Sequence, residues 1–371
     1  MYILNSWPYW AVFIFSAGMA VLSPPEQAKH SLNVIGALLF AFVAVRHEVG
    51  GDWTAYASWL HSAVGVPFAR ALTEGDIGYF SLNWVVANGS GNIYVLNAVC
   101  AGLAISGIVY FCREQKNPTL ALLVAIPYLI FVVCMGYTRQ SVAIGLGAAA
   151  MAVLLQRRLY LYILLVLLAV TFHKAAAIYL LFAPLALSKP RRAQLLMFGA
   201  VMSICTAAIA WQFWDDIGNM VFHYWIATGE VPPSEAERLS LETGRTFENL
   251  SSIGAVPRIA LAMASVAILW ALIAKGDVVG QERRVWSSVA LVVIVFFVLA
   301  PFRSTLADRL ALFLYPLQIF AVSNFPRLFP AKWQPVAVMF VVAIMSASFG
   351  AWSVFGRSAE YWLPYETVWG K

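Results

Sequence analysis

The chain has 371 residues, of which 61% are hydrophobic and 11% charged, with a net charge of +6. About a quarter of the residues of a soluble domain are charged, so the composition excludes a soluble enzyme, and the positive balance reads as membrane topology rather than as a nucleic-acid surface. Apolar runs of roughly 18–22 residues recur from end to end, and about 20 are needed to cross a bilayer as a helix. The expectation is an all-α polytopic membrane protein forming one integral unit over 1–371.

In chain order, the first run, 8–23, follows MYILNSWPYW, which offers neither a basic n-region nor a small-residue cleavage site. It is expected as a retained helix and not a cleaved signal. A second span, 31–46, ends abruptly in Arg46, His47 and Glu48, followed by Gly50, Gly51 and Asp52. The segment 47–92, which includes RALTEGDIGYFSLNWVVANGSG, is expected as a long outer loop with short helices. Spans follow at 94–112, 118–136 and 139–156. From Leu159 to Ser188 the run is uncharged apart from His173 and Lys174. A single helix there, of about 30 residues, would be about 45 Å long against a hydrocarbon core of about 30 Å. A hairpin of two short arms, 159–172 and 174–187, is expected instead, because a single span would move KPRR to the wrong side. The hairpin holds His173 below the outer surface, inside the protein. Spans at 195–213, 256–274, 285–301, 308–325 and 334–355 bring the total to about twelve. The second long outer segment, 214–255, includes SEAERLSLETGRTFENL, a polar, partly amphipathic helical pattern. Cys100, Cys112, Cys134 and Cys205 lie in or beside apolar runs, with no metal-ligand spacing and no disulfide framework.

The orientation follows from the Lys/Arg bias of the loops. Those around Lys29, Arg113/Lys116, Arg157/Arg158, Lys189/Arg191/Arg192, Lys275/Arg283/Arg284 and Arg327/Lys332 fall on one side, with only Glu26, Glu114, Asp277 and Glu282 as acids. That side is expected to be cytoplasmic, with both termini outside.

With this topology the unusual polar residues gather on the outer side. Arg46, His47, Glu48 and Asp52 follow the second span, and Glu74 and Asp76 lie in the first outer segment. Arg139 and Gln140 open the fifth span, His173 and Lys174 form the hairpin tip, Arg245 and Glu248 lie in the second outer segment, and Arg303, Asp308 and Arg309 join spans ten and eleven. Each also has a purely structural reading. Arg46 reads either as a residue snorkelling to the headgroups or as part of a cleft. His173 reads as a ligand-facing group or as a hydrogen-bonded core histidine. Asp308 and Arg309 read as site residues or as a lock between themselves or with Arg303. Trp53, Tyr56 and Trp59 suit an interfacial aromatic belt or a sugar platform. Arg139, in a turn of about three residues between long apolar runs, is expected to be partly buried, where ionisable groups face a cavity and a partner. Together, arginine forks match phosphate oxygens, carboxylates and histidine accept a hydroxyl proton, and aromatic faces suit sugar rings. A lipid-linked phosphate donor carrying a sugar calls for that combination.

These residues stand in a familiar order. RHEVGGDWTAYASWL resembles the arginine–glycine–aspartate–tyrosine segment of the EpsG-like family of Wzy-type polysaccharide polymerases, and EGDIGYFSLNWVV resembles its next segment. YTRQSVAIGLG, with Phe172-His173 following Arg139-Gln140 about 33 residues later, resembles its central block, and DRLALFLYPLQIF with EYWLPYETV its C-terminal third. Segment 214–255 matches little of that family and is the expected place of substrate preference. The resemblance implies a GT-C-like helical fold in the bacterial inner membrane and no cofactor or metal. It also implies transfer of oligosaccharide repeat units from undecaprenyl diphosphate at the periplasmic face, with a chain-length regulator and a flippase as pathway partners. The catalytic candidates are then Arg139, Asp52, His173 and Glu48. The substrate-binding candidates are Arg46, Gln140, Lys174, Arg303, Asp308, Arg309, Tyr56, Glu74 and Arg245. Rival readings are a glycan ligase with the same donor, a lipid-linked glycan flippase, which calls for charges along mid-helix and repeated halves, and a membrane O-acyltransferase.

Overall fold

The computed structural model describes residues 5–73, 75–187, 199, 255–299, 304–356 and 358–370. Among these the secondary structure is helical, apart from an isolated bridge between Arg46 and Thr367. Helix α1 spans Trp7–Leu22 and α2 Ala28–Ala44. The segment 47–92 carries three helices, α3 (Trp53–Ser62), α4 (Phe68–Thr73) and α5 (Ile77–Asn88). Helix α6 covers Ile93–Arg113, α7 Pro118–Ala125 and α8 Thr138–Leu155. Helix α9 covers Leu159–Phe172, α10 Ala255–Ala274 and α11 Gly280–Leu299. Helices α12 (Ser304–Ala311), α13 (Tyr315–Asn324) and α14 (Gln334–Phe355) complete the set. Three stretches, Ile93–Arg113, Thr138–Leu155 and Ala331–Phe355, are long and apolar enough to cross a membrane, and several shorter apolar helices accompany them. Most of the predicted span 195–213 and of the segment 214–255 lies outside the described residues.

Local chemistry sets several of these boundaries. Asn92 caps α6 by accepting from the Tyr94 and Val95 amides at 3.0 and 3.2 Å, which satisfies donors that have no partner within the helix. Asn117 caps α7 by accepting from Leu120 N at 3.2 Å, and Pro118 follows where its missing N–H is no loss. Helix α7 then widens into a π-helical stretch, Ile126–Cys134, containing Pro127. The stretch predicted as a span at 308–325 is interrupted by a 3-10 turn, Leu312–Leu314, ahead of Pro316.

The expected hairpin at His173 is present. His173 is extended (φ −158°, ψ 119°) and ends α9. The chain returns as a 3-10 helix, Lys174–Ala186, and the Tyr162 hydroxyl in α9 donates to the Tyr179 carbonyl in the returning arm. A 3-10 helix rises about 2.0 Å per residue against about 1.5 Å in an α-helix. The 13 residues of this arm therefore reach roughly 26 Å, more than an α-helix of that length. A short apolar segment thus gains length by stretching.

Helix α8 is the centre of the bundle. Every residue from Gln140 to Leu154 is buried, the pattern of a helix packed on all sides. It lies against α6 through glycines: a Cβ on Gly107 would come within 2.1 Å of the Gly145 carbonyl oxygen, and one on Gly145 within 2.4 Å of that of Ala104. Small residues let membrane helices approach to backbone contact. Polar residues then gather at one end of the bundle. That end holds the N-terminal ends of α6, α8 and α10, the C-terminal ends of α2, α9 and α14, and the start of α12. The opposite end holds Lys275, Asp277 and Arg327, and the Gln156–Glu114 contact.

Gly145→Leu is expected to force α6 and α8 apart, with overpacking of about 1–3 kcal/mol or more. Thermal unfolding of the detergent-solubilised protein should show a clear drop for this variant. Gly18→Ala, where a Cβ meets nothing within 4 Å, should behave as the parent does.

Candidate active site

The loop after α2 is held from both sides. The C-terminal tail supplies hydrogen bonds to it: His47 N donates to Glu366 O at 2.9 Å, Gly50 N to Tyr361 O at 2.7 Å, and Val368 N to Val45 O at 3.0 Å. Tyr365 stacks on Phe42 with centroids 4.2 Å apart, and Trp362 is buried against Gly51 and Gly136. Gly50 has φ +109°, and a Cβ there would lie 2.4 Å from the Met135 carbonyl oxygen. Only glycine fits this close, left-handed position. The loop that bears Asp52 is thereby pressed against the turn that precedes Arg139.

Arg46 occupies the middle of this junction and is 1% exposed. Its guanidinium donates to Val43 O at 2.7 Å, Asn97 Oδ1 at 3.0 Å and Thr138 Oγ1 at 3.1 Å. One side chain therefore fastens the end of α2 to the starts of α6 and α8. Arg46 is neither a headgroup anchor nor open to a ligand here. It is the fastener beneath the site, and its charge adds to the positive N-terminal end of α8.

Arg139 lies at that same helix end. Its Nη1 donates to Asp76 Oδ2 at 2.8 Å, with side-chain exposures of 28% and 9%. Its guanidinium carbon sits 4.5 Å from the Trp59 ring centroid, a cation–π distance. Asp52, the N-cap of α3 and half-buried, faces Arg139, Arg309 and the Tyr56 hydroxyl. Burial is the largest influence on Asp52 and raises its carboxyl above the usual aspartate range, against the two arginines and Tyr56, which pull it down. Burial also raises the Tyr56 phenol, and the Asp52 charge raises it further. His173 has Asp76, Arg139 and Arg309 as charged neighbours, and its Nδ1 accepts from Ala175 N at 3.3 Å. That acceptance places the proton of the neutral ring on Nε2, so the ring presents a donor. The fold therefore brings Arg139, Asp52, Tyr56, His173 and Arg309 into one constellation, joined by Asp76.

A second pair stands beside it. Asp308 is bound through both carboxylate oxygens by the Nε and Nη2 of Arg258, whose guanidinium carbon lies 5.4 Å from the Tyr128 ring. Asp308 thus locks to α10, not to Arg309. Tyr137 has Asp52, Arg309, Arg258 and Asp308 all as electrostatic neighbours and so links the two groups. Gln140 donates to the Arg309 carbonyl at 3.2 Å, which fixes the α12 backbone. Lys174 is exposed at the hairpin tip. Glu48 is separate from the arginines: it is an exposed residue 3.6 Å from His47 Nε2. Glu74, Arg245 and Arg303 lie outside the described residues. Sequence reasoning passed over Arg258 as part of an apolar run, and left Asp76 and Tyr94 without a role. Only the acid before GY in the first outer segment hinted at Asp76.

Arg258→Gln and Asp308→Asn should each destabilise the protein by about 3 kcal/mol, since each strands a largely buried charge. The double variant should lose less than the sum of the two. Thermal or denaturant unfolding of all four proteins closes that cycle.

No curated protein and no solved structure matches the chain. The sequence model of the EpsG family matches residues 30–367, from the start of α2 to the tail that clamps the Asp52 loop. The match takes in the loop, the central helix and the tail together, and the chain belongs to the EpsG family, a family of Wzy-like polysaccharide polymerases.

Proposed function

We propose that this protein polymerises oligosaccharide repeat units carried on undecaprenyl diphosphate, at the periplasmic face of the bacterial inner membrane, by metal-independent glycosyl transfer within a GT-C-like fold. Family membership supports polysaccharide polymerisation. The observation that carries the finer reading is the meeting of Arg139 and Arg309 with the half-buried Asp52 at one end of the bundle. The acceptor hydroxyl oxygen bonds to the anomeric carbon of the donor while the bond from that carbon to the phosphate oxygen breaks. The hydroxyl proton passes to Asp52, and the lipid diphosphate leaves with the bonding electron pair.

Charge grows on the departing oxygen, and fixed cations in a site with little water stabilise it strongly. Arg139 is preorganised for that task by Asp76 on one side and Trp59 on the other. Arg309 is the second cation. Asp52 is the base, because its raised pKa brings it nearer to neutrality as a proton acceptor. His173, with Nδ1 occupied, serves as a hydrogen-bond donor to diphosphate or sugar. Arg46 and Gln140 act from beneath, by holding helix ends in register.

Purified protein supplied with lipid-linked repeat units alone should give a ladder of products. Arg139→Ala should unfold at a lower temperature, because it strands Asp76, yet still fold, and should lose at least about a hundredfold in rate, the scale of one lost oxyanion stabiliser. Cells carrying that variant should accumulate single lipid-linked units. Normal polymer length from Arg139→Ala would refute its role, and products only on addition of a second acceptor would indicate a ligase. As pH falls, kcat/KM should decline through a pKa above the usual aspartate range, because Asp52 works ionised and its burial raises that pKa. Asp52→Asn should be inactive across the range. Treatment with EDTA should leave the rate unchanged.

A further inference from the structure

The Asp52 loop and the start of α6 carry a second group of side chains which the transfer chemistry does not use. His47 is 8% exposed, and its Nδ1 is 2.8 Å from the Tyr94 hydroxyl. Its Nε2 lies 3.6 Å from the Glu48 carboxylate. Trp53 meets the His47 ring edge-on at 5.8 Å and Tyr94 at 6.3 Å, and both aromatics are half-exposed. Trp53 directly follows Asp52 in the chain, and its ring centroid is 6.0 Å from the Arg46 guanidinium carbon.

Glu48 is the odd residue of this group. Its φ is +53°, the left-handed region that side chains with a Cβ avoid. Such strain persists only where the surroundings enforce it. Here they do, since the tail holds the amides of both His47 and Gly50. The result is a carboxylate 66% exposed at one nitrogen of the His47 imidazole, whose ring also meets Trp53 and Tyr94.

We propose that His47, Glu48, Trp53 and Tyr94 form a carbohydrate-binding subsite for an uncharged pyranose ring of the acceptor repeat unit. The apolar C–H face of the ring lies on the Trp53 indole. Its hydroxyls donate to Glu48 and exchange hydrogen bonds with Tyr94. The Glu48 charge disfavours a uronic acid in this position, so the subsite selects neutral rings. Because Trp53 adjoins Asp52, a ring seated there delivers a neighbouring hydroxyl toward the base. Calling the ligand an acceptor rests on the polymerase reading; the sugar binding itself does not.

The test uses the repeat-unit oligosaccharide released by mild acid from the lipids that accumulate in cells lacking this protein. Titration calorimetry with the full-length protein in detergent should show binding of this lipid-free glycan. Trp53→Ala and Glu48→Ala should each weaken it at least tenfold, whereas Trp53→Phe, which keeps a ring, should retain most of it and guards against misfolding. In the ladder assay the two alanine variants should raise KM for repeat units about tenfold, with kcat within a factor of two or three. Unchanged binding in both alanine variants, or no binding by the parent protein, overturns the subsite. Binding that depends on Trp53 in a protein that makes no ladder would sustain the subsite and instead sink the polymerase reading.

Discussion

The ion pair between Arg139 and Asp76 ties the α3–α5 segment to the core. Arg139 lies at the N-terminal end of α8, where the helix dipole is positive and a cation is disfavoured. Arg46, close by through Thr138, adds a second positive charge. A carboxylate at 2.8 Å makes that arrangement tolerable, and Asp76 at the start of α5 provides it. The same interaction anchors the α3–α5 region onto α8. The same end also holds Arg309 and Arg258 beside Asp52 and Asp308, and in the proposed function it is where fixed donors replace the lost hydration of a diphosphate.

Arg46 and Arg139 come from segments far apart in the chain, and the structure gives them different settings. Arg46 is fully enclosed and its donors go to Val43, Asn97 and Thr138. Arg139 is partly open and keeps an anionic partner and an aromatic face. Burial separates the fastener from the arginine proposed to meet the leaving group. The loop between them is fixed by backbone bonds to residues 361–368, so the C-terminal tail is part of the site's frame although it brings no charged group to it.

Hydropathy made most helices legible, because a bilayer leaves few alternatives to an apolar helix of sufficient length. The break at His173 was legible for the same reason: a titratable pair interrupts a run too long for one crossing. The 3-10 character of the returning arm was not, since composition carries no signal of helical rise. The π-helical stretch before Arg139 was equally hidden, with Pro127 as its sole mark. Candidate site residues stand out where they interrupt or end apolar runs, as Arg139 and Asp52 do. Arg258 stands at the edge of an apolar span, and its partner Asp308 is fifty residues away. That pair follows from packing between α10 and α12, which no local pattern encodes. Tyr94 escaped notice because tyrosine at a helix start in a membrane protein is ordinary until a histidine is found against it.

The central claim is that Arg139, Arg309 and Asp52 face one chamber that grips a diphosphate. It is tested most directly by an experimental structure of the protein with undecaprenyl diphosphate bound. The account predicts the β-phosphate oxygens within about 3 Å of the Arg139 guanidinium, at charge-assisted hydrogen-bond distance, with the Asp52 carboxylate on the other side of the reacting position. A diphosphate seated at the opposite end of the bundle, beside Lys275 and Arg327, or one that leaves Arg139 paired with Asp76 alone, would contradict it.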